Sequence, residues 1–394
     1  MFDILLKDGL IIDPSQAMHA EGSVAIQDGK IRAIGKNLPD GEATKIFDMR
    51  GKIIVPGLID IHCHPVEGFW ELGVPADEFG LNSGVTLLGD AGSAGPANFE
   101  ALRLFIVKRA KTDILCFLNL SNTGLVKIPE LCSEHDFDID RCKRAVEVHS
   151  DIIKGIKVRC VQALAEGPGM KAIEGAKKLA NDCHLPLMLH IGETRKRVPA
   201  DKMDDFSRAA VAFLEKGDIL SHYLTWEPGG MILKDGTVYP ELNAAHKRGV
   251  FLDCCHGLNH FSFAIARHAV SVGLIPSIIS TDMVSIVRSA AQSLTVVMSK
   301  FVNLGLTVEQ VIEMTTINPA RALGEEGRGS LKPGMAADIT VLELTKGDYC
   351  FVDGTGGERM QGDRLLEPRM VFKRGESMPA YSGYHIPPVY KTVS

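Results

Sequence analysis

The chain has 394 residues, of which 45% are hydrophobic and 23% are charged, and its formal net charge is −6. This length exceeds the size at which a single hydrophobic core usually stops growing, so we expect a large α/β unit with an accessory domain, or two domains. The charge offers no basic field for nucleic acid or an anionic membrane, and no apolar run approaches the roughly 18 residues of a membrane span. These features exclude nucleic acid and membrane as expected partners.

The cysteines indicate a reducing compartment. Nine cysteines lie at irregular positions without a CxxC pair. The first residues, "MFDILLKDGL", lack the basic stretch and long apolar run of a secretory signal. We therefore expect free thiols and a cytoplasmic protein.

Both ends of the chain have the pattern of β-structure. Asp8-Gly9 and Asp28-Gly29 each separate short apolar runs, which is the strongest short hairpin signal. Strand patterns return at 337–344 and 369–376. We predict that residues 1–54 and 329–394 together form one small β domain.

The middle of the chain, residues 55–328, alternates short apolar runs with helix-like stretches. Eight runs are candidate strands: 58–64, 85–90, 114–120, 153–159, 185–190, 218–224, 249–256 and 275–282. Eight strands that alternate with helices favour an α/β fold of the (β/α)8 barrel type, in which sites lie at the carboxyl ends of the strands.

A pair of histidines ends the first of these strands. Alternate side chains of a strand share a face, so His62 and His64 point the same way and Cys63 points to the other face. This spacing alone is weak evidence, because many such histidines are ordinary core or surface residues. If the pair binds a metal, further ligands should lie at the ends of other strands. Polar residues do recur there: Lys157, Arg159, His190, His222 and Asp282.

The residue types at these strand ends suit a divalent metal. Imidazole and carboxylate ligands favour a dication such as Zn²⁺ with one position open to water. Lys157 shares a face with Arg159 and should point into the barrel, where an ammonium group beside dications is costly. A neutral lysine amine, however, reacts with CO2 to give a carbamate, which is anionic and has two oxygens that can bridge two metals. Lys154 has the opposite parity and should point toward the helices or solvent.

These residues resemble those of the amidohydrolase superfamily, which comprises metal-dependent hydrolases with a (β/α)8 TIM barrel and a small β-sandwich made from both termini. The resemblance covers nearly the whole chain. Within the superfamily it is to the lysine-bridged enzymes dihydroorotase, hydantoinase and D-aminoacylase, and most closely to a deacetylase-like branch. The matching segments are "GLIDIHCHP", "GVTLLGDAGSAG", "GIKVR", "LMLHIGE", "ILSHYLT", "DCCHGLNHFSF", "IISTDM", "TINPARALG" and "GSLKPGMAADI".

The resemblance implies a role for each strand-end residue. His62, His64 and Asp282 would hold the more buried of two metal ions, most simply Zn²⁺, and His190 and His222 the more exposed one. Carboxylated Lys157 and a hydroxide would bridge the two ions. The hydroxide would attack the substrate carbonyl, and Asp282 would transfer the proton to the leaving group. The superfamily also suggests a homo-oligomer.

The expected reaction is hydrolysis of an amide or ester bond in a small acylated substrate, either an N-acyl amino acid or an O-acyl hydroxy acid. Two residues are candidates for substrate binding. Arg159 either pairs with a substrate carboxylate or forms a structural salt bridge. His256, at the end of the seventh strand, either binds the substrate carbonyl or carboxylate or packs within a loop.

Three alternatives accompany this expectation. The first is a cyclic amide substrate, as in dihydroorotase and hydantoinase. The second is a nucleobase deaminase with one metal, because His190 to Glu193 forms the HxxE pattern of deaminases in this superfamily, although Lys157 argues against it. The third is a scaffold protein without activity, which the complete set of ligand residues disfavours.

Overall fold

The computed structural model describes residues 1–194 and 199–382. Its strands, numbered in chain order, are β1 Phe2–Asp13, β2 Met18–Gln27, β3 Lys30–Gly35, β4 Ala43–Asp48, β5 Ile53–Pro56, β6 Leu58–Cys63, β7 Val85–Asp90, β8 Asp113–Asn119, β9 Ile153–Arg159, β10 Leu187–His190, β11 Ile219–Ser221, β12 Phe251–Asp253, β13 Ile339–Val352, β14 Arg359–Lys373 and β15 Glu376–Pro379. The α-helices are α1 Ala76–Phe79, α2 Phe99–Leu102, α3 Ile139–Val148, α4 Gln162–Glu166, α5 Met170–Asp182, α6 Ala200–Ala212, α7 Pro240–Arg248, α8 Phe263–Ser271, α9 Leu294–Asn303, α10 Val308–Glu313 and α11 Ile317–Ala322.

The middle of the chain forms a parallel sheet of seven strands. Strands β6 to β12 lie side by side in chain order, and every pair is parallel. Their near-continuous apolar sequences follow from this position, because strands covered on both faces bury alternate residues on each side. All six residues of β7, for example, are buried. The parallel arrangement brings the carboxyl ends of all seven strands to one edge.

The eighth predicted strand, 275–282, is not a regular strand in the structure. The segment instead makes isolated parallel bridges, from Ile278 to Asp253 beside β12 and from Met283 to Cys63 in β6. Asp282 has a φ of 52°, in the left-handed region, which interrupts an extended ladder. The segment still connects the last strand of the sheet to the first, and it places Asp282 beside β6.

The two ends of the chain share one continuous sheet of eight strands. Its order is β15-β14-β13-β5-β1-β2-β3, with β4 also paired to β1. Because β5 lies between β1 and β13, the strands of the two termini are joined at the centre of the sheet. The predicted boundary at residue 54 falls within β5, residues 383–394 lie outside the described residues, and the sandwich arrangement stays a prediction.

One of the two predicted hairpins is wrong. Asp28 and Gly29 both have positive φ and connect β2 to β3, as expected for a tight turn. Asp8 and Gly9 instead lie inside β1, where the register against β2 shifts between Leu6 and Gly9. The pair forms a bulge because β5 packs closely here: a β-carbon at Gly9 would lie 2.8 Å from Ile54 Cδ1.

An ion-pair cluster connects the two sheets at the end remote from the strand ends described above. Asp113, at the start of β8, accepts hydrogen bonds from Arg328 at 2.6 Å and Lys373 at 2.7 Å. Asp338 accepts from the same two cations at 3.1 and 2.8 Å. The small sheet is thereby fixed to the amino ends of the parallel strands.

Membrane-spanning helices are absent from residues 1–194 and 199–382, since none of the helices found there is both long and apolar enough.

Candidate metal centre

All six predicted metal ligands lie together at the carboxyl edge of the parallel sheet. Strands β6, β9, β10 and β11 supply five of them at, near or directly after their ends, and the segment after β12 supplies Asp282. All six residues are buried or largely buried. Lys157 Nζ lies 3.1 Å from His62 Nε2, and His64 Nε2 lies 3.3 Å from Asp282 Oδ1. His222 Nε2 lies 3.9 Å from Asp282 Oδ2, and the rings of His190 and His222 are 4.3 Å apart between centroids.

Three of the histidines are oriented by hydrogen bonds on the side away from the cavity. His222 Nδ1 donates to the carbonyl oxygen of Cys255 at 2.8 Å. His64 Nδ1 lies 2.8 Å from Ser93 Oγ, whose hydroxyl donates in turn to Asp90. When Nδ1 carries the hydrogen, Nε2 keeps its lone pair, so these contacts set the ring for metal binding.

The Nδ1 atom of His62 faces a buried carboxylate. His62 Nδ1 lies 3.2 Å from Asp253 Oδ2 and 3.0 Å from Ser221 Oγ. Burial raises the pKa of Asp253 to about 6, while hydrogen bonds from Ser280 and Ser221 favour its charged form. At neutral pH Asp253 is therefore an acceptor, and the arrangement is the carboxylate–histidine pair that accompanies many metal ligands. The strand-end rule could have predicted Asp253, because it is the last residue of β12.

His190 supplies the direct test of whether a metal fits. Its Nε2 is buried and has no hydrogen-bond partner among the described residues. A buried polar nitrogen without a hydrogen-bond partner lowers the stability of the folded state. We therefore expect a bound group that is not part of the protein to lie beside it. A cation bound to the lone pair would satisfy this atom, and the histidine, carboxylate and amine groups around it are suitable donors.

Burial controls the protonation of the centre. It lowers the pKa of His62, His190 and His222 well below the ordinary value, which keeps these rings neutral and able to bind metal. It also lowers the pKa of Lys157 to about 8, so more of the amine is neutral near pH 7 than in a free lysine. Burial alone would raise the pKa of Asp282, but the hydrogen bond from His64 and the interactions with neighbouring histidines hold it below its usual range.

Two glycines allow the close packing. A β-carbon at Gly92 would lie 2.8 Å from both Cβ and Cγ of Lys157, and one at Gly257 would lie 2.8 Å from Asp282 Oδ2. Both glycines have positive φ, at 87° and 52°. Larger residues at these positions would displace the two side chains.

The cavity above these residues has a volume of about 310 Å³. His260, which we did not predict, also lines it, and its ring centroid lies 4.2 Å from that of His222. His260 follows β12 in an irregular loop, so no periodic pattern identified it. The remaining wall is mainly apolar: Trp70, Leu72, Ala91, Leu125, Ile128, Leu258, Val284, Ile286 and Val287.

The two predicted substrate-binding residues differ in position. Arg159 lines the cavity, and its Nη1 donates to Glu130 at 3.1 and 3.3 Å. His256 is fully buried and stacks on Phe261, with its Nδ1 on the Gly257 carbonyl and its Nε2 accepting from Lys300 at 2.6 Å. Both ring nitrogens of His256 therefore already have protein partners, and substrate binding by this residue stays a prediction.

Lys154, the other lysine of β9, points away from the centre. Its Nζ lies 3.0 Å from Glu325 Oε1 at the surface. Glu193 of the HxxE pattern lines a neighbouring cavity, and its Oε2 accepts a hydrogen bond from the Gln162 amide at 2.7 Å.

Comparisons with known proteins identify the family. Residues 53–377 match the model of the amidohydrolase family. A deacetylase from Brucella anthropi is 34% identical over 90% of this chain and 87% of its own length, and a deacetylase from Agrobacterium fabrum is 33% identical over 90% and 85%. A crystal structure of a dihydroorotase superposes with a TM-score of 0.85 at 32% identity, covering 96% of this chain and 98% of that one.

A crystal structure of an adenine deaminase superposes equally well, with a TM-score of 0.86 at 25% identity over 96% of this chain and all of the other. The family match spans most of the chain, and relatives above 30% identity cover most of their own length. This chain belongs to the amidohydrolase family.

Proposed function

We propose that the protein is a metal-dependent hydrolase that cleaves the amide or ester bond of a small acylated substrate, an N-acyl amino acid or an O-acyl hydroxy acid. The observation that carries the proposal is the convergence of His62, His64, His190, His222, Asp282 and the Lys157 amine, with no partner for His190 Nε2 in the part of the chain that the structure describes. The two relatives named deacetylase support an acyl substrate.

His62, His64 and Asp282 would hold one divalent ion, His190 and His222 a second, and carboxylated Lys157 would bridge them, so that the ions supply Lewis acidity and lower the pKa of water toward about 7. The protein's own residues then divide the work. Asp282 lines the cavity and takes a proton from the attacking water. It then transfers this proton to the leaving nitrogen or oxygen. His62 and His222 stay in place through Asp253 and the Cys255 carbonyl.

Arg159 would recognise the carboxylate of the amino or hydroxy acid. Buried Glu130 occupies its Nη1, and this contact holds the guanidinium at the cavity wall. The other nitrogens of a guanidinium fork remain suited to a planar carboxylate. The apolar wall opposite would receive the uncharged part of the substrate.

A hydrolysis screen tests the proposal. The enzyme, loaded with zinc in bicarbonate buffer, is offered N-acetyl amino acids of both configurations, O-acetyl hydroxy acids, dihydroorotate and adenine. We expect acetate release from the acylated compounds. Ammonia release from adenine without acyl cleavage would contradict the proposal, and opening of dihydroorotate alone would favour the cyclic amide reaction.

A matched pair of lysines in β9 tests the role of the bridge. Lys157→Ala should remove activity and lower the metal content, because it deletes the group that reacts with CO2. Lys154→Ala should change neither, because its partner is surface Glu325. Equal activity and equal metal content in the two variants would show that Lys157 is not a ligand.

A further inference from the structure

A cysteine thiol lies among the proposed metal ligands. Cys255 is fully buried, and its Sγ lies 3.5 Å from His222 Nε2. The ligand atoms of Cys255, His62, His222 and Asp282 all lie within 4.8 Å of one another. The proposed function uses only nitrogen and oxygen ligands, so it leaves this sulfur without a role.

The backbone after β12 directs the thiol toward His222 and the other proposed ligands. Cys255 has a φ of 38°, in the left-handed region that residues with a β-carbon seldom adopt. Its amide donates to Asp253 Oδ1 at 3.1 Å, and its carbonyl accepts from His222 Nδ1 at 2.8 Å. The neighbouring Cys254 packs in the hydrophobic core instead. Two successive cysteines therefore have different environments.

The separation of sulfur and nitrogen fits two ligands of one ion. Zinc binds thiolate sulfur at about 2.3 Å and imidazole nitrogen at about 2.0 to 2.1 Å, which at a tetrahedral angle places the two atoms about 3.6 Å apart. The observed distance is 3.5 Å. His190 Nε2 is buried without a partner among the described residues, and its ring lies next to that of His222, which independently indicates a ligand beside His222.

We infer that Cys255 Sγ is an additional ligand of the cation that His222 holds. The inference rests on the proposed metallohydrolase function and adds a soft donor to its centre. On binding, the S–H bond breaks, the proton passes to solvent and the sulfur electron pair forms the bond to the metal. Thiolate favours zinc and cobalt over magnesium, calcium or manganese, so the centre should reject these harder ions.

Cobalt spectroscopy tests the inference without measuring activity. The full-length enzyme is stripped with a chelator, loaded with Co²⁺ in bicarbonate and compared with Cys255→Ser and Cys255→Gly, of which glycine also suits the positive φ. Cys254→Ala is the matched control, because it removes the adjacent thiol from the core. We expect a near-ultraviolet sulfur-to-cobalt charge-transfer band in the wild type and in Cys254→Ala, and its loss in both Cys255 variants.

The possible outcomes separate the two proposals. In one outcome Co²⁺ binds and its ligand-field bands appear, but the near-ultraviolet spectrum is the same with and without the Cys255 sulfur. The inference about Cys255 is then wrong, and the proposed metal centre is supported. If the wild type binds no Co²⁺, both fail. If the band persists in Cys255→Gly, a thiol elsewhere binds the ion and the inference is again wrong.

Discussion

Arg159 Nη1 lies 3.1 Å from Glu130 Oε1, and the Glu130 side chain is 2% exposed, whereas that of Arg159 is 24% exposed. A buried carboxylate thus anchors a cation that reaches the wall of the metal cavity. The same arginine also lines a neighbouring cavity of about 300 Å³. Both alternatives raised by the sequence, a structural ion pair and a substrate contact, remain compatible with one side chain.

Arg159→Met should therefore affect substrates unequally. A charged hydrogen bond contributes about 1.5 to 3 kcal/mol, so kcat/KM for an acylated amino or hydroxy acid should fall roughly 10- to 100-fold. The uncharged methyl ester of the same substrate should be affected much less. Steady-state kinetics on both compounds measures the ratio, and an equal loss for the two would assign Arg159 a structural role only.

Gly92→Ala should weaken the metal centre without replacing any proposed ligand. The new methyl group would lie 2.8 Å from Lys157 Cβ and Cγ, and a φ of 87° is unfavourable for alanine. We expect a lower metal content per chain, measured by elemental analysis after dialysis against a fixed free zinc concentration. Gly41→Ala is the control, because no atom of residues 1–194 or 199–382 lies within 4 Å of its β-carbon position. Full zinc occupancy in Gly92→Ala would contradict this packing argument.

Asp253→Asn should reduce metal affinity. The substitution keeps the shape of the side chain but removes the charge behind His62, and loss of such an outer partner typically costs 10- to 100-fold in affinity. Competition with a zinc-binding dye measures the change. Exposed Asp205→Asn is a suitable comparison. An unchanged affinity in Asp253→Asn would mean that Ser221 alone orients the ring of His62.

Lys300 should make stability depend on pH. Burial lowers the pKa of this amine from 10.5 to about 7, although the charges of Cys254 and Asp353 oppose the shift. Between about pH 7 and 10.5 the unfolded chain binds the proton that the folded chain lacks, so this group's contribution to the free energy of unfolding rises with pH. Below about pH 7 both states are charged and the full cost of burial remains.

Lys300→Met removes that contribution. The free energy of unfolding of the wild type minus that of the variant should increase from pH 7 to pH 10, measured by urea denaturation in the presence of a chelator. Lys247→Met, at an exposed position of α7, is the matched control for loss of a lysine. A flat difference for Lys300→Met would indicate that its contact with His256 preserves an ordinary pKa.

Residues at or next to the ends of predicted strands could be identified from the sequence, although several of them lie just outside the regular strands. The period of two predicted the direction of His62, His64 and Lys157, the positions at strand ends indicated His190, His222 and Asp282, and the family resemblance supplied their roles. Strand β11 ends at Ser221, three residues earlier than predicted, because His222 has a φ of 64°. No periodic pattern reveals such a change of backbone region at a residue other than glycine.

The loop after β12 shows the same limit. The sequence left two alternatives open for His256, substrate binding or packing within a loop, and the structure shows it packed on Phe261 and accepting from Lys300. His260 lines the cavity and Cys255 lies beside His222, and the sequence pattern indicated neither position. Outside a helix or strand, sequence separation does not determine which side chains share a direction. The hydrogen bond between buried Lys300 in α9 and His256 in the loop after β12 arises from tertiary packing alone. The sequence pattern therefore could not predict it.

The central position of β5 in the terminal sheet has a consequence for biosynthesis. β5 is bordered by β1 on one side and by β13 on the other. During translation the edge of β5 that pairs with β13 stays unpaired until nearly all of the intervening sequence has left the ribosome. The nascent amino-terminal strands therefore expose an open edge for most of synthesis, a stage at which chaperones are expected to bind.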